Sequence, residues 1–143
     1  MELADTSVWA RKRHPALREW FEAAVIAGDI AVCDMVALEL LRSASRPDVF
    51  ARTEEALKAM PWLRMGGAEW ARAREVYRLL SDRGQAAHRA VKHADRAVKH
   101  ADLLIAAAAA VAGIGLVHYD NDYDLIAEVT GQTARWVRPR GTI

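Results

Sequence analysis

Several features that would place a chain in a special class are scarce or absent. A single cysteine, Cys33, permits no internal disulfide and suits a reducing compartment such as the cytoplasm. The apolar run at residues 103–112 is far shorter than the roughly 20 residues that a membrane-spanning helix needs. No basic segment followed by an apolar stretch comes after Met1, which argues against a secretory leader. We therefore expect a cytoplasmic protein with no membrane segment.

An excess of charge of one sign is also lacking. The 20 basic and 19 acidic residues leave a formal net charge of +1, so any basic surface for nucleic acid must be a local patch. Hydrophobic residues make up 52% of the chain, which excludes a disordered protein. A length of 143 residues suits one domain, and we expect residues 1–143 to form it.

Short apolar segments alternate with amphipathic ones along the chain. Strands are predicted at residues 2–4, 29–33, 62–65, 116–119 and 134–137. Helices are predicted in two parts between residues 8 and 28, and then at 35–44, 49–60, 69–83, 103–112 and 123–130. Strands that alternate with helices indicate a parallel sheet that is covered on both faces. The sequence therefore predicts an α/β fold.

Individual residues predict where some of these helices begin and end. Asp34 and Asp48 precede apolar-periodic stretches and are the expected N-caps of their helices. Gly84 is the expected end of the helix at residues 69–83. The residues expected on the buried face of that helix are Trp70, Ala73, Tyr77 and Leu80.

One segment occurs twice in tandem. Residues 89–95 (Arg-Ala-Val-Lys-His-Ala-Asp) are repeated without change as residues 96–102. Two copies are too few for a solenoid, so we interpret them as a local duplication. Only the second copy leads into the apolar helix, and we therefore expect Asp102 at the sheet edge and Asp95 in a lengthened connection. A seven-residue insertion turns the following helix face by only about 20°, so an in-phase helix and a loop both stay possible.

Acidic side chains recur where the predicted strands end. Asp5 follows the first strand and Asp120 the fourth, while Asp102 opens the buried helix between them. The carboxyl ends of parallel strands meet at one edge of a sheet, so these groups can lie together there. Asp122 follows closely, and Glu39 lies in a helix whose apolar neighbours leave little room for a polar stripe.

Carboxylates that converge without a counter-charge repel one another, and some of them would have to stay protonated. A divalent cation removes this conflict. All-oxygen ligands favour Mg²⁺ or Mn²⁺, and the chain has no Cys/His cluster with zinc spacing. Taken singly, Asp5, Asp102 and Asp122 also suit helix caps. Glu39 likewise suits a solvated helix face, so these alternatives stay open at this point.

Four segments of the chain form a recognisable series. They are residues 5–9 (Asp-Thr-Ser-Val-Trp), Glu39 between two leucines, residues 101–107 (Ala-Asp-Leu-Leu-Ile-Ala-Ala) and residues 118–124 (His-Tyr-Asp-Asn-Asp-Tyr-Asp). In this order and at these separations they resemble a PIN domain, and more narrowly the VapC toxins of type II toxin–antitoxin systems. The resemblance covers nearly the whole chain. It implies a three-layer α/β/α PIN-like domain with a short, mostly parallel central sheet.

The resemblance also implies a Mg²⁺-dependent endoribonuclease, in which a metal-activated water cleaves RNA phosphodiester bonds. Thr6 and Ser7 would orient a carboxylate or a bound water. The residues implied as catalytic and metal-binding are Asp5, Glu39, Asp102 and Asp120, with Asp122 as a further metal contact. A VapC toxin would form a homodimer and be neutralised by a cognate VapB-type antitoxin.

An acidic site can hold RNA only if cations lie close by. The expected phosphate contacts follow Asp5 closely in the sequence and are Arg11, Lys12, Arg13 and His14. Weaker candidates are Arg42 and Arg46, and then Lys92, Arg96 and Lys99. Each of these side chains also suits an ordinary solvated surface.

Two other interpretations stay open. The duplication adds seven residues directly before Asp102, where a displacement of about 1 Å would impair catalysis severely. The protein would then be a catalytically impaired PIN module that binds RNA or antitoxin only. The second is a haloacid-dehalogenase-like phosphatase, whose strand-end Asp forms a phospho-enzyme. That family has another Asp two residues later, where this chain has Ser7.

Overall fold

A computed structural model describes residues 1–88 and 98–143, with residues 84–88 described as backbone only. The strands are β1 Glu2–Ala4, β2 Ile30–Cys33, β3 Trp62–Leu63, β4 Gly115–His118 and β5 Ala134–Trp136. The helices are α1 Thr6–Trp9, α2 Arg18–Ile26, α3 Asp34–Arg42, α4 Pro47–Lys58, α5 Gly67–His88, α6 His100–Ala112 and α7 Asp122–Thr130. Every strand and helix expected from the sequence is present at its expected place, with small differences in the bounds.

The five strands form one sheet in the order β3-β2-β1-β4-β5, and every pair is parallel. The predicted α/β fold with a parallel central sheet is therefore confirmed. The strands β1 and β4 are neighbours, with Ala4 opposite Val117, and the backbone N–H of Asp5 donates to the carbonyl of Val117 at 3.0 Å. The chain segments that follow β1 and β4 consequently leave the sheet side by side.

Helix α6 supplies much of the core. Residues 102–109 are all buried, as expected of a helix with no polar face, and the helix ends at Gly113 with a φ of 70°, which an L side chain would strain. Over the described ranges 1–88 and 98–143, no helix is both long and apolar enough to cross a membrane. The burial of α6 fixes its first turn, and with it Asp102, against the sheet.

Two predicted helix caps are wrong. Asp34 is the first residue of α3, and its carboxylate accepts hydrogen bonds from the Trp62 indole at 2.8 Å and the Met65 backbone at 2.6 Å. It therefore fastens β3 to α3 instead of capping the helix. Asp48 lies in the first turn of α4 after Pro47, and pairs with Arg46 at 2.8 Å. A proline at the first helical position moved this helix start upstream.

Two predictions for α5 are also wrong. The helix continues through Gly84 to His88, because a glycine inside a helix costs only about 1 kcal/mol and does not by itself end it. Trp70 and Tyr77 are 55% and 47% exposed, whereas Ala73 and Val76 are buried. The buried face of α5 therefore includes Ala73 and Val76. It excludes Trp70 and Tyr77, which the spacing of the large side chains had placed on it.

Candidate metal centre

Three carboxylates meet at the carboxyl edge of the sheet. Oxygen atoms of Asp102, Asp120 and Asp122 all lie within 4.8 Å of one another. Asp102 and Asp122 are buried and Asp120 is partly exposed, so the cluster opens to solvent on one side. The predicted convergence is confirmed for these three positions. Asp5 and Glu39 lie outside this set among the residues that the structure describes.

The local backbone explains why the chain delivers these groups together. Strand β4 ends at His118, and the turn that follows is closed by the backbone N–H of Asp122, which donates to Asp120 Oδ1 at 3.0 Å. Asp102 occupies the first turn of α6, the buried helix that precedes β4. Asp102 thus lies at the edge of the sheet where the sequence predicted it. Residues 89–97, with Lys92, Asp95 and Arg96, lie outside the described residues.

Lys99 reaches all three members of the cluster. Its ammonium Nζ lies 2.9 Å from Asp120 Oδ2 and 3.7 Å from Asp102 Oδ2, and its backbone N–H donates to Asp122 Oδ2 at 3.4 Å. The hydrogen bond to Asp120 is the main cause that raises the pKa of Lys99. The side chain stays 55% exposed. One cation thus lies against acids that would otherwise repel one another.

The buried carboxyl group of Asp102 has a raised pKa. Burial, the facing carboxyl of Asp122 and the charge of Asp5 together raise its pKa to about 8, and the nearby Lys99 offsets this only in part. Its Oδ2 atom is buried without a hydrogen-bond partner. A buried acceptor without a donor costs roughly 1–3 kcal/mol, and a cation would satisfy it. This oxygen without a hydrogen-bond donor, in an all-oxygen donor set, fits a hard divalent cation.

Asp5 is joined to the cluster through Tyr123. The Tyr123 hydroxyl donates to Asp5 Oδ1 at 2.6 Å and lies 3.4 Å from Asp102 Oδ1. The other oxygen of Asp5 accepts from the backbone N–H of Ser7 at 2.8 Å, so Asp5 also caps α1. Burial, with Asp5 and Asp102 nearby, raises the pKa of Tyr123 well above its usual value, which keeps the hydroxyl proton available for donation.

Glu39 is held by a hydroxyl from the neighbouring helix. Thr6 Oγ1 donates to Glu39 Oε2 at 2.9 Å, which ties α1 to α3. Ser7 Oγ accepts from the backbone N–H of Tyr119 at 2.8 Å and ties α1 to the end of β4. Thr6 therefore orients an acidic side chain, as expected, whereas Ser7 orients the chain that carries Asp120.

Sequence reasoning did not assign Tyr123 to the site and ranked Lys99 low. Tyr123 lies in the helix predicted at residues 123–130, and Lys99 lies three residues before Asp102. Only the packing of α6 against β4 and α7 reveals which carboxylates these side chains meet.

The basic segment after Asp5 divides into two kinds of side chain. Arg11 donates to the backbone carbonyl of Ser7 at 3.0 Å, and its guanidinium stacks on the Tyr119 ring at 4.3 Å. Lys12, Arg13 and His14 are exposed. Arg140, from the chain beyond β5, donates to Asn121 at 3.0 Å and adds a cation beside the turn between Asp120 and Asp122. Arg11 and Arg140 thus lie beside the segment that follows β4.

A parallel α/β fold with carboxylates clustered at the carboxyl edge of the sheet defines a class of proteins with a cation site at that edge. The profile of the PIN domain family matches residues 3–129. Ribonuclease VapC18 and Ribonuclease VapC51 of Mycobacterium tuberculosis (strain ATCC 25618 / H37Rv) are each 39% identical to the chain. The alignments cover 97% and 99% of this chain, respectively, and 96% of each relative. The chain belongs to the PIN domain family and, within it, to the VapC group.

Solved structures agree on the fold. VapBC2 from Rickettsia felis bound to a promoter DNA fragment has a TM-score of 0.70 at 12% identity, over 96% of this chain and 98% of that one. DNA-bound VapBC from Salmonella typhimurium has a TM-score of 0.69 at 16% identity, over 95% and 98%. The sheet and its flanking helices therefore have the architecture of these proteins.

Proposed function

We propose that the protein is the toxin of a type II toxin–antitoxin system and an endoribonuclease that depends on a divalent cation. One observation carries the proposal. Three carboxylates lie within 4.8 Å of one another, and one of their buried oxygens has no hydrogen-bond partner. Relatives at 39% identity over nearly the whole chain are named ribonucleases, which supports RNA as the substrate. Residues 1–143 would form a single PIN domain.

Mg²⁺ is the proposed cofactor, and Mn²⁺ would substitute for it. Asp102, Asp120 and Asp122 would hold the ion, with Asp5 and Glu39 beside them to bind it through water or to receive a second ion. A bound divalent cation lowers the pKa of an attacking water and offsets the charge that develops on a phosphate. The donor set contains only oxygen, which favours these hard cations over zinc.

The side chains around the acids have a positioning role. Tyr123 fixes Asp5 and faces Asp102 through one hydroxyl, and Thr6 fixes Glu39. Ordered carboxylates keep the attacking water and the phosphate in line, and such alignment contributes much of the rate in phosphodiester hydrolysis. Hydrolysis by water would leave 5′-phosphate and 3′-hydroxyl ends and needs no nucleophilic side chain.

RNA would approach across the cations on the β4 side of the site. Arg11 is the best placed of the predicted contacts, because Ser7 and Tyr119 hold its guanidinium in a fixed position. The exposed Lys12, Arg13 and His14 would add phosphate contacts further out. Neutralised phosphates release counterions, so binding through these side chains should weaken steeply with salt.

A VapB-type antitoxin is the proposed protein partner. The solved structures with this fold include VapBC complexes, and a toxin–antitoxin complex from Klebsiella pneumoniae matches with a TM-score of 0.64. A homodimer in the cytoplasm, with no membrane association, completes the proposal. The large apolar side chains of Ile26 and Leu38, 87% and 63% exposed, leave surface available for such contacts.

Cleavage by the purified protein tests this function. RNA should be cut in the presence of Mg²⁺ or Mn²⁺, and a chelator should stop the reaction. Asp5→Asn and Asp102→Asn should each lower the rate by roughly 100- to 1000-fold or more, because each removes a charge that the transition state needs. Asp48→Asn, at an exposed acid on α4, is the matched control and should keep full activity.

Two different results would contradict the proposed function. Cleavage that survives both Asp5→Asn and Asp102→Asn would exclude a metal mechanism at this site. A protein that binds RNA or antitoxin but never cleaves would instead be the catalytically impaired module. The proximity of Asp102 to Asp120 and Asp122 supports an active site over that alternative.

A further inference from the structure

The position of Lys99 is unusual for a lysine. It is the N-cap residue of α6, where the helix dipole is positive and a cation is unfavourable. Helix stability therefore does not account for the choice of this side chain. The contacts of Lys99 are instead with the acid cluster, at 2.9 Å to Asp120 and 3.7 Å to Asp102.

The ammonium of Lys99 and a divalent cation need the same oxygen atoms. Asp120 Oδ2 accepts a hydrogen bond from Lys99, and Asp102 Oδ2, which has no hydrogen-bond partner, forms an ion pair with the same ammonium at 3.7 Å. Two cations that share these oxygens would repel each other over a few ångströms. The arrival of a divalent ion should therefore displace the ammonium from Asp120.

Only the side chain of Lys99 has to move. Its backbone N–H donates to Asp122 and its carbonyl accepts from Leu103, so the main chain is anchored at both ends of the residue. The side chain is 55% exposed and can turn toward solvent at the open side of the cluster. An RNA phosphate that binds at this site must enter through that opening.

We propose that Lys99 is a positioning residue with two partners. Its ammonium holds Asp120 and Asp102 while no divalent cation is bound, and it transfers to the RNA phosphate when a cation takes those oxygens. The transfer to the RNA phosphate rests on the proposed ribonuclease function, whereas the competition with a divalent cation concerns the metal alone. Lys99 thus opposes metal binding and favours RNA binding.

The first arm of the test measures Mn²⁺ binding to the whole metal-free protein by calorimetry, without RNA. Lys99→Met should bind Mn²⁺ about 1.5-fold to fivefold more tightly, the range expected when a partly exposed ion pair no longer competes. Lys99→Arg should retain the competition. Lys58→Met is the matched control, because Lys58 is 57% exposed and pairs with Glu54 and Glu55 on α4.

The second arm measures binding of a single-stranded RNA oligonucleotide at saturating Mn²⁺, in an Asp5→Asn background that stops cleavage. Lys99→Met should weaken RNA binding, and the slope of log affinity against log salt should become shallower by about 0.7, the value for one lost phosphate contact on a single strand. Lys99→Arg should restore both quantities, and Lys58→Met should change neither.

The expected signature is a change in opposite directions, with tighter Mn²⁺ and weaker RNA in Lys99→Met. A lysine that only stabilises the fold would weaken both, and a spectator would change neither; each result overturns the proposal. Tighter Mn²⁺ with unchanged RNA binding would overturn the transfer to phosphate. If the wild-type protein fails to cleave RNA, the ribonuclease proposal fails while the Mn²⁺ arm still decides whether Lys99 competes with the metal.

Discussion

The two halves of the acidic site differ in how their charges are satisfied. Asp5 accepts from the Ser7 backbone at 2.8 Å and from the Tyr123 hydroxyl at 2.6 Å, and Glu39 accepts from Thr6 at 2.9 Å. In the other half, Asp102, Asp120 and Asp122 face one another, and a buried oxygen of Asp102 has no donor.

This difference indicates where a cation is needed. In the first half, hydrogen-bond donors already reach both carboxylates. In the second half the pKa of Asp102 is raised to about 8, mainly by burial and by the neighbouring acids. A cation that binds there is attracted by carboxyl groups that otherwise repel one another.

The link between the halves is the Tyr123 hydroxyl, and its removal should have the largest effect of these tests. Tyr123→Phe keeps the ring but removes the hydroxyl that donates to Asp5 and lies 3.4 Å from Asp102. Loss of such an orienting contact typically costs 10- to 100-fold in activity or metal affinity, and we expect about 100-fold because the hydroxyl lies between two carboxylates. Cleavage rates and Mn²⁺ affinity measure the effect.

Tyr77→Phe is the control, since Tyr77 is 47% exposed on α5. Equal behaviour of the two phenylalanine variants would mean that the hydroxyl does not couple the halves.

The second prediction concerns pH. The folded protein keeps a proton on Asp102 up to about pH 8, whereas the unfolded chain releases it near pH 4. The folded state therefore binds more protons across that window, and the free energy of unfolding of the metal-free protein should fall as pH rises from 4 to 8. Relative to Asp102→Asn, this decline should amount to a few kcal/mol, on the order of one per pKa unit.

Denaturant unfolding across this pH range measures the difference. Burial lowers the pKa of His118, which acts in the opposite direction near pH 6, but the comparison with Asp102→Asn cancels that contribution. Saturating Mn²⁺ should reduce the decline in the wild-type protein. If the free energy of unfolding falls equally with pH in both proteins, Asp102 is not the group whose pKa is raised.

Loss of the hydroxyl that donates to Glu39 should lower the cleavage rate less than loss of the Tyr123 hydroxyl. Thr6→Val removes the hydroxyl that holds Glu39 and keeps the shape of the side chain. We expect about a tenfold loss of cleavage, the lower end of the range for an orienting contact, because Glu39 lies outside the three-carboxylate set. Thr130→Val, which removes a hydroxyl bonded to Ile126 within α7, is the control. A loss as large as that of Tyr123→Phe would erase the distinction between the halves.

The smallest effect is expected from the duplicated segment. Deletion of residues 89–95 leaves the residues at positions 96–102 unchanged, including Lys99 and Asp102. Cleavage should stay within about twofold, since the copy that leads into α6 stays intact and the closure entropy of a connecting segment changes only slowly with its length. A gain of activity from an inactive wild-type protein would instead favour the impaired module, and a complete loss would mean that the first copy contributes to the site.

Prediction from the sequence succeeded where periodicity or chain order was enough. The apolar run of α6 and the strands β1 and β4 were recognisable, because a helix without a polar face must be buried and short apolar strands between helices form parallel sheets. It failed for Asp34 and Gly84, where tertiary contacts override local preference. Asp34 bonds to Trp62 across 28 residues, a partner that no local pattern reveals.

Chain order places acidic side chains after short apolar strands that alternate with helices, a pattern that favours a parallel sheet and a shared edge for these acids. How the acids divide depends on tertiary packing. The packing of α6 against β4 and α7 brings Asp102 into the field of Asp120 and Asp122, while the Tyr123 and Thr6 hydroxyls reach Asp5 and Glu39. Interactions between charges and hydrogen-bond donors depend on distances of a few ångströms between segments far apart in the chain, and the fold alone sets those distances.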